Sequence, residues 1–294
     1  MRRRNSSSSN TKPVVSIDGR AADSSRASIA IGDWAVRYGW GAFETIRFLD
    51  GCPLFLSRHL DRFFQLSAAL LLPSAEGPDW WYTQVLRQVE RADFAEGAIN
   101  LYWTRGEPPR FAGHRIVVVR PLDGQRRRLG RIWIAPWRIE PGIPGIGAKT
   151  MAFLPYTFAS FAAQAAGFDD AILLNTEGRI ADGSAASILA IEDGQLVTPS
   201  MLDGALPGIT RAILLEQAAR LDIPAREASL RPEDLCDADC VLLTSVLRGI
   251  TTVYQIDDRR IETSAAARQL IARLRRSYRR TIAAEIKAWR AMTA

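Results

Sequence analysis

Between Ala42 and Phe48 apolar and polar residues alternate, which predicts a half-buried strand. Asp50-Gly51 then predicts a hairpin turn into Pro53–Phe55. After Ser57, a candidate N-cap, the spacing changes to that of a helix. Leu60, Phe63, Phe64, Leu66 and Leu70 recur on one face to about Leu71, and Pro73 ends the run. A second helix is predicted over Asp79–Arg91. Strands follow at Ala98–Arg105 and His114–Arg120, around a loop at 106–113. With a short strand at Val14–Ile17, these elements predict a small α+β domain over 14–122.

The pattern restarts after a polar, basic connector at 123–130. Residues 131–294 predict a larger domain. It begins with a strand at Arg131–Trp137, an irregular Pro/Gly loop at 141–147 and a helix over Tyr156–Ala166. Strands at Asp170–Leu174, Arg179–Asp182, Ser187–Ile191 and Leu196–Pro199 are separated by turns at 176–178 and 192–194. Leu206-Pro-Gly opens a helix to about Leu221. Strands at Val241–Thr244 and Gly249–Ile256 precede a long amphipathic helix, Ser264–Trp289, with a basic face. The first stretch, 1–13, is basic and Ser-rich with nothing to bury, which predicts disorder.

Composition narrows the function classes. The chain has 294 residues, 47% hydrophobic and 24% charged, as expected of a globular protein of one or two domains. Much of the +6 formal charge lies in Arg2–Arg4 and in the arginines from 273 to 280, an arrangement of solvated ends and not of a nucleic-acid groove. Cys52, Cys236 and Cys240 give no disulfide framework, and His59 and His114 are too few for a histidine metal site, so no metal is expected. No apolar run suits a bilayer span and no secretory leader is evident, which predicts a cytoplasmic protein.

Lys149 is the first candidate for chemistry. Arginine supplies almost all the positive charge, and beyond Lys12 only Lys149 and Lys287 are lysine. An amine can lose its proton and attack a carbonyl; a guanidinium cannot. Lys149 sits in Gly147-Ala-Lys-Thr-Met-Ala-Phe-Leu154, between a strand and a helix.

Several further motifs occur in order: Tyr38-Gly-x-Gly-x-Phe-Glu-Thr-x-Arg47, His59-Leu-x-Arg62, Thr104-Arg-Gly106 with Arg110 after it, Asp182-Gly-Ser184, Thr198-Pro199 and Leu206-Pro-Gly-Ile-Thr-Arg211. Together with Lys149 they make the chain resemble the class IV aminotransferases, the fold type IV pyridoxal-phosphate enzymes. That family includes branched-chain and D-amino-acid aminotransferases and aminodeoxychorismate lyases. The resemblance covers about Ser16 to Ile261. It implies a two-domain architecture like that of D-amino-acid aminotransferase, α+β and α/β, with pyridoxal 5'-phosphate in the cleft between domains, and a homodimer. Lys149 would be the Schiff-base lysine. Arg62, Ile209, Thr210, Thr244 and Ser245 would contact the cofactor phosphate, and Asp182 the pyridine nitrogen. The resemblance makes His59 structural.

Two residues depart from the family pattern. Asp182 stands where Glu is usual, and Ser187 where Asn is usual. On the substrate side the resemblance points to Arg110 for a carboxylate, with Tyr38, Phe43 and Arg47 on the Phe-Glu-Thr strand. Leu154, five residues after the lysine, replaces the tyrosine of branched-chain enzymes. The Glu-Pro-Pro-Arg loop at 107–110 is less glycine-rich than that of the lyases. The implied reaction is amino-group transfer between an amino acid and a 2-oxo acid. The alternatives are aminodeoxychorismate lyase, giving 4-aminobenzoate and pyruvate, or a homologue that binds cofactor or a partner without turnover.

Overall fold

Alternation along Gly41–Leu49 divides that strand into two faces. Ala42, Glu44, Ile46 and Phe48 are buried, while Phe43, Thr45 and Arg47 are only half-buried. The computed structural model describes residues 12–73, 76–122 and 130–293. The expected tail at 1–13 and connector at 123–130 therefore lie almost wholly outside the described residues. The chain forms two compact units, Met1–Asp123 and Gly124–Ala294.

In the first unit, β1 (Val14–Ile17), β2 (Arg20–Ala22), β3 (Gly41–Leu49), β4 (Cys52–Pro53), β5 (Glu96–Thr104) and β6 (Arg115–Pro121) form one sheet in the order β2-β1-β6-β5-β3-β4. The neighbours β3 and β5 are antiparallel, with Phe43 opposite Tyr102 and Arg47 opposite Ala98. Helices α2 (Leu56–Ala69) and α3 (Pro78–Glu90) cover the buried face. Phe63, Trp81 and Trp103 meet there, with Phe63 and Trp81 edge to face at 5.0 Å. Removing one such buried ring costs about 3–5 kcal/mol.

Helix α1 (Trp34–Tyr38) was not foreseen. Asp33 caps it through Ala35 N–H and also holds Gly106 N–H and Thr104 Oγ1, partners more than seventy residues away. Tyr38 is thus the last residue of this helix and not part of the Phe-Glu-Thr strand. Nor does Ser57 cap α2. Buried Leu56 is already the first residue of that helix, and Phe55 precedes it in a left-handed conformation with φ 56°.

The second unit contains two sheets. One is β12-β11-β10-β13-β14, built from β10 (Ser187–Glu192), β11 (Gln195–Pro199), β12 (Ala225–Ala228), β13 (Cys240–Ser245) and β14 (Gly249–Val253). The other is β16-β15-β7-β8-β9, built from β7 (Arg131–Ile139), β8 (Asp170–Asn175), β9 (Ile180–Gly183), β15 (Gln255–Ile256) and β16 (Arg259–Arg260). The run predicted as one strand over Gly249–Ile256 breaks at Tyr254, whose N–H is taken by Gly130 C=O. The chain there leaves the first sheet and joins the second, with Gln255 parallel to Arg131. Ile134 N–H donates to Asp257 Oδ1, which fixes this crossing over a separation of 123 residues. Helices α4 (Leu154–Ala165), α5 (Ile209–Arg220), α6 (Pro232–Asp237) and α7 (Ala265–Thr293) complete the unit. Among the described residues no helix is long and apolar enough to cross a membrane.

Candidate active site

Asp182 is the third residue of strand β9, and its residue surface is only 5% exposed. Its carboxylate accepts Gly183 N–H through Oδ1 and Leu206 N–H through Oδ2, each at 3.0 Å. Burial drives its pKa up to about 7, against the opposing pull of those two N–H groups and of the Arg211 and Lys149 charges. Lys149 is therefore near enough for its charge to reach Asp182. Its Nζ lies 5.6 Å from the centre of the Phe153 ring.

Leu206, tied to Asp182, leads into the start of α5. Gly208 is its N-cap and no side chain caps the helix there. The backbone of Gly208 approaches strand β10 so closely that a Cβ would lie 2.4 Å from Ser187 Oγ. Thr210, in the first turn, is 3% exposed and its Oγ1 has no hydrogen-bond partner among the described residues. An uncapped helix start with an orphaned buried hydroxyl suits an anion: the N–H groups point outward and the helix dipole favours negative charge. Thr244 pairs with Ser187 across β13 and β10 and donates its hydroxyl to Ser187 C=O at 3.4 Å. Ser245, at the end of β13, instead accepts Arg248 N–H on its hydroxyl. The second unit thus links Lys149, Asp182, Thr210 and Thr244 through a chain of neighbours. Ile209 is the first residue of α5.

Arg211, quoted in the sequence only as the end of a motif, is 5% exposed. It donates to Thr198 Oγ1 and Pro199 C=O, and pairs with Glu227. These contacts anchor α5 to β11 from inside. Ser184 donates to Asp170, a buried carboxylate whose pKa burial raises. That bond ties the residue after β9 back to the start of β8.

The other candidates lie in the first unit. Arg62 donates Nε and Nη2 to the two oxygens of buried Glu44, at 2.9 and 2.7 Å. His59, 1% exposed, lies 3.3 Å from the same carboxylate, in keeping with a structural part. Arg47 is ion-paired with Glu96, and Phe43 stacks on Tyr102, both on the opposite face of β3 from Glu44. Tyr38 packs edge-on against Trp34, which also meets Phe111. Arg110, exposed, precedes that phenylalanine. Arg105 lies over Phe111 at 4.3 Å, a structural contact.

Sequence reasoning did not single out Tyr156. Its residue surface is 2% exposed, and its hydroxyl accepts Gly147 N–H at 2.9 Å, two residues before Lys149. Burial pushes its pKa up to about 12. The signal was present in the helical spacing of Phe153 and Tyr156, whose rings stack at 4.5 Å.

The raised pKa of Asp182 has a thermodynamic consequence. The folded chain holds this proton more tightly than the unfolded chain. The neutral carboxyl therefore favours folding fully below about pH 4, and the contribution is lost as pH rises through about 7. Asp182→Asn is expected to remove that loss. Thermal midpoints of the cofactor-free proteins should diverge by several degrees between pH 5 and pH 8, in favour of the variant at the higher pH. An equal gap at both pH values would show that this carboxyl does not titrate in that window.

Known proteins share this arrangement of elements. A family model described as amino-transferase class IV matches residues 41–256. A bifunctional aminodeoxychorismate lyase and D-amino acid transaminase of Mycobacterium tuberculosis is 26% identical over 273 residues, covering 86% of this chain and 94% of its own. The crystal structure of a branched-chain aminotransferase from Thermoproteus uzoniensis with norvaline aligns at a TM-score of 0.82 with 26% identity, covering 90% of this chain and 93% of that one. The branched-chain amino acid aminotransferase of Escherichia coli has the same fold at a TM-score of 0.80 and 22% identity, over 88% of this chain and 91% of that one. The match over most of its length establishes that the chain belongs to the class IV aminotransferase family.

Proposed function

We propose that this chain is a pyridoxal-phosphate-dependent aminotransferase that moves an amino group between an amino acid and a 2-oxo acid, with Lys149 carrying the cofactor. The observation behind this reading is the linked set in the second unit: Lys149 within electrostatic reach of Asp182, Asp182 bonded to Leu206 N–H, and beyond it the uncapped helix start with the orphaned Thr210 hydroxyl. Those residues fit the cofactor. The N–H groups from Gly208 onward and the hydroxyls of Thr210 and Thr244 suit a phosphate. On the family motif alone, Arg62 and Ser245 are proposed as further phosphate contacts.

When bound, pyridoxal phosphate supplies an aldehyde that condenses with amines and a ring that withdraws electrons from the substrate's α-carbon. The protein's residues supply the rest. Asp182 provides a buried negative charge for a cationic ring nitrogen, and a cation beside it lowers its pKa from the neutral range. Lys149 Nζ takes the proton from the α-carbon and returns it elsewhere, the step that separates transfer from mere binding. Arg110 is proposed for a substrate carboxylate, with Tyr38, Phe43 and Arg47 as further substrate-side residues. A cytoplasmic homodimer is proposed as the working form.

A second reading is aminodeoxychorismate lyase. The M. tuberculosis relative carries that activity in its name. Leu154, in the place of the branched-chain tyrosine, opens α4 and is 72% exposed. The deciding experiment records the visible spectrum of purified protein with pyridoxal phosphate, then adds a panel of amino acids, with aminodeoxychorismate in parallel. Conversion of the lysine-bound band to the pyridoxamine form by one amino acid supports transfer and names the donor. Release of 4-aminobenzoate and pyruvate with the band unchanged supports the lyase. No band at all would sink both.

Gly208→Ala tests the phosphate assignment. The added methyl would displace the Ser187 hydroxyl and crowd the helix start. Pyridoxal-phosphate affinity is expected to fall about tenfold, equivalent to roughly 1.4 kcal/mol. The double variant Gly208→Ala/Ser187→Ala should recover part of the loss in equilibrium titration. Unchanged affinity in the single variant would remove this helix start from the site.

A further inference from the structure

The lysine stands on an aromatic pair. Lys149 Nζ lies 5.6 Å from the Phe153 ring centre, and the Phe153 ring stacks on Tyr156 at 4.5 Å with an interplanar angle of 13°. Phe153 immediately precedes α4, and Tyr156 lies in its first turn. The hydroxyl of Tyr156 reaches back to accept Gly147 N–H. Phe153 thus lies beside the amine, while its stacking partner Tyr156 holds the backbone behind it through its hydroxyl.

Gly147 is a demanding position. Its φ is +66°, and a Cβ there would lie 3.0 Å from Gly204 C=O and 3.4 Å from Ala205 C=O. Those carbonyls directly precede Leu206, whose N–H Asp182 holds. A closed circuit results: Tyr156 to Gly147, Gly147 against 204–205, Leu206 to Asp182, and Asp182 within reach of the Lys149 charge. Burial keeps the Tyr156 phenol neutral far above physiological pH, so its oxygen is a fixed acceptor and not a switch.

We propose that Tyr156, stacked on Phe153, is a positioning residue that sets the register of the 147–149 segment and thereby the placement of the Lys149 amine. The hydroxyl is the working part, because the ring alone would stack equally well as phenylalanine. A reacting amine must be placed to within a fraction of an ångström, and a loop rich in glycine (Gly142, Gly145, Gly147) does not hold such a position unaided. Loss of the bond would also leave Gly147 N–H without its acceptor in a half-buried site.

The inference rests on Lys149 being the reactive amine of the proposed function, and the test separates the two. In cofactor-free protein, Lys149 is acetylated with a limiting amount of an amine-acylating reagent, and the modified peptides are quantified by mass spectrometry. Lys287, exposed on α7, serves as the internal reference. Tyr156→Phe is expected to raise the Lys149-to-Lys287 labelling ratio at least threefold, with the thermal midpoint lowered by only a few degrees for the unpaired Gly147 N–H. With cofactor, kcat should fall about tenfold while KM changes less than twofold. Phe153→Leu, which removes the ring beneath the amine, should raise the ratio as well. A ratio unchanged in both variants, or a kcat unchanged in Tyr156→Phe, overturns the proposal. Borohydride reduction of wild-type protein with pyridoxal phosphate reports separately on the function: no cofactor mass on the Lys149 peptide would refute that reading while leaving the labelling comparison intact.

Discussion

Replacing Lys149 by alanine is expected to abolish turnover, by a factor of about 10⁴ or more, and to remove the visible absorbance that a lysine-bound cofactor gives. Proton transfer by a positioned side chain alone is worth about 10²–10⁴ in rate, and the variant also loses the covalent anchor. Lys149→Arg should be equally inactive, because guanidinium keeps its charge and neither condenses with an aldehyde nor acts as a base. Both variants should still bind the cofactor weakly, since the helix start at Gly208 and the Thr210 hydroxyl are untouched. Single-turnover assays with the donor named by the spectral panel provide the check. Full turnover in either variant would mean that another amine does the work.

Asp182→Ala is expected to leave cofactor bound while slowing the reaction by on the order of a hundredfold or more, the scale at which one preorganised electrostatic partner acts. Two contributions are lost together: the buried charge, and the acceptor that holds Leu206 N–H ahead of α5. Asp182→Asn divides them, since its amide oxygen can still accept Leu206 N–H but carries no charge. If charge is what matters, both variants slow alike, and isotope effects on α-deuterated donor should rise because proton removal becomes limiting. A wild-type rate in Asp182→Asn would assign the residue to holding the helix lead-in. A wild-type rate in both would move ring tuning to a different group.

The local alphabet of the fold was largely readable, and the reasons are physical. Alternation and helical spacing report which face of an element is buried, so β3 and α2 can be located from residues that the core then uses, while α5 is marked by the Leu-Pro-Gly that opens it. Lys149 stood out because an amine in an arginine-rich chain is chemically distinct. What escaped was every feature whose partner is remote in sequence. Asp33 caps a five-residue helix too short to show periodicity, and its other partners are Thr104 and Gly106. The break at Tyr254 is invisible in an apolar run, because it is made by pairing with β7. Tyr38 belongs to the same short motif as the Phe-Glu-Thr strand, but the left-handed Gly39 separates it as the end of α1. The ion pairs of Arg62 with Glu44 and of Arg47 with Glu96 are equally out of sight in the sequence, because they depend on how α2 packs on β3 and how β5 pairs with it.

The crossing at Tyr254 bears on the order in which the chain can be built. During synthesis β7 emerges early in the second unit, yet the strand that covers one of its edges, β15, and the Asp257 carboxylate that binds Ile134 come more than a hundred residues later. Until the ribosome has passed that point, β7 presents an unpaired edge, and the β8–β9 side of the sheet can form without it. A chain halted or clipped ahead of Gln255 would therefore carry the whole Lys149 segment and Asp182 on a sheet with one raw edge, a species prone to pair with its own kind before it can fold.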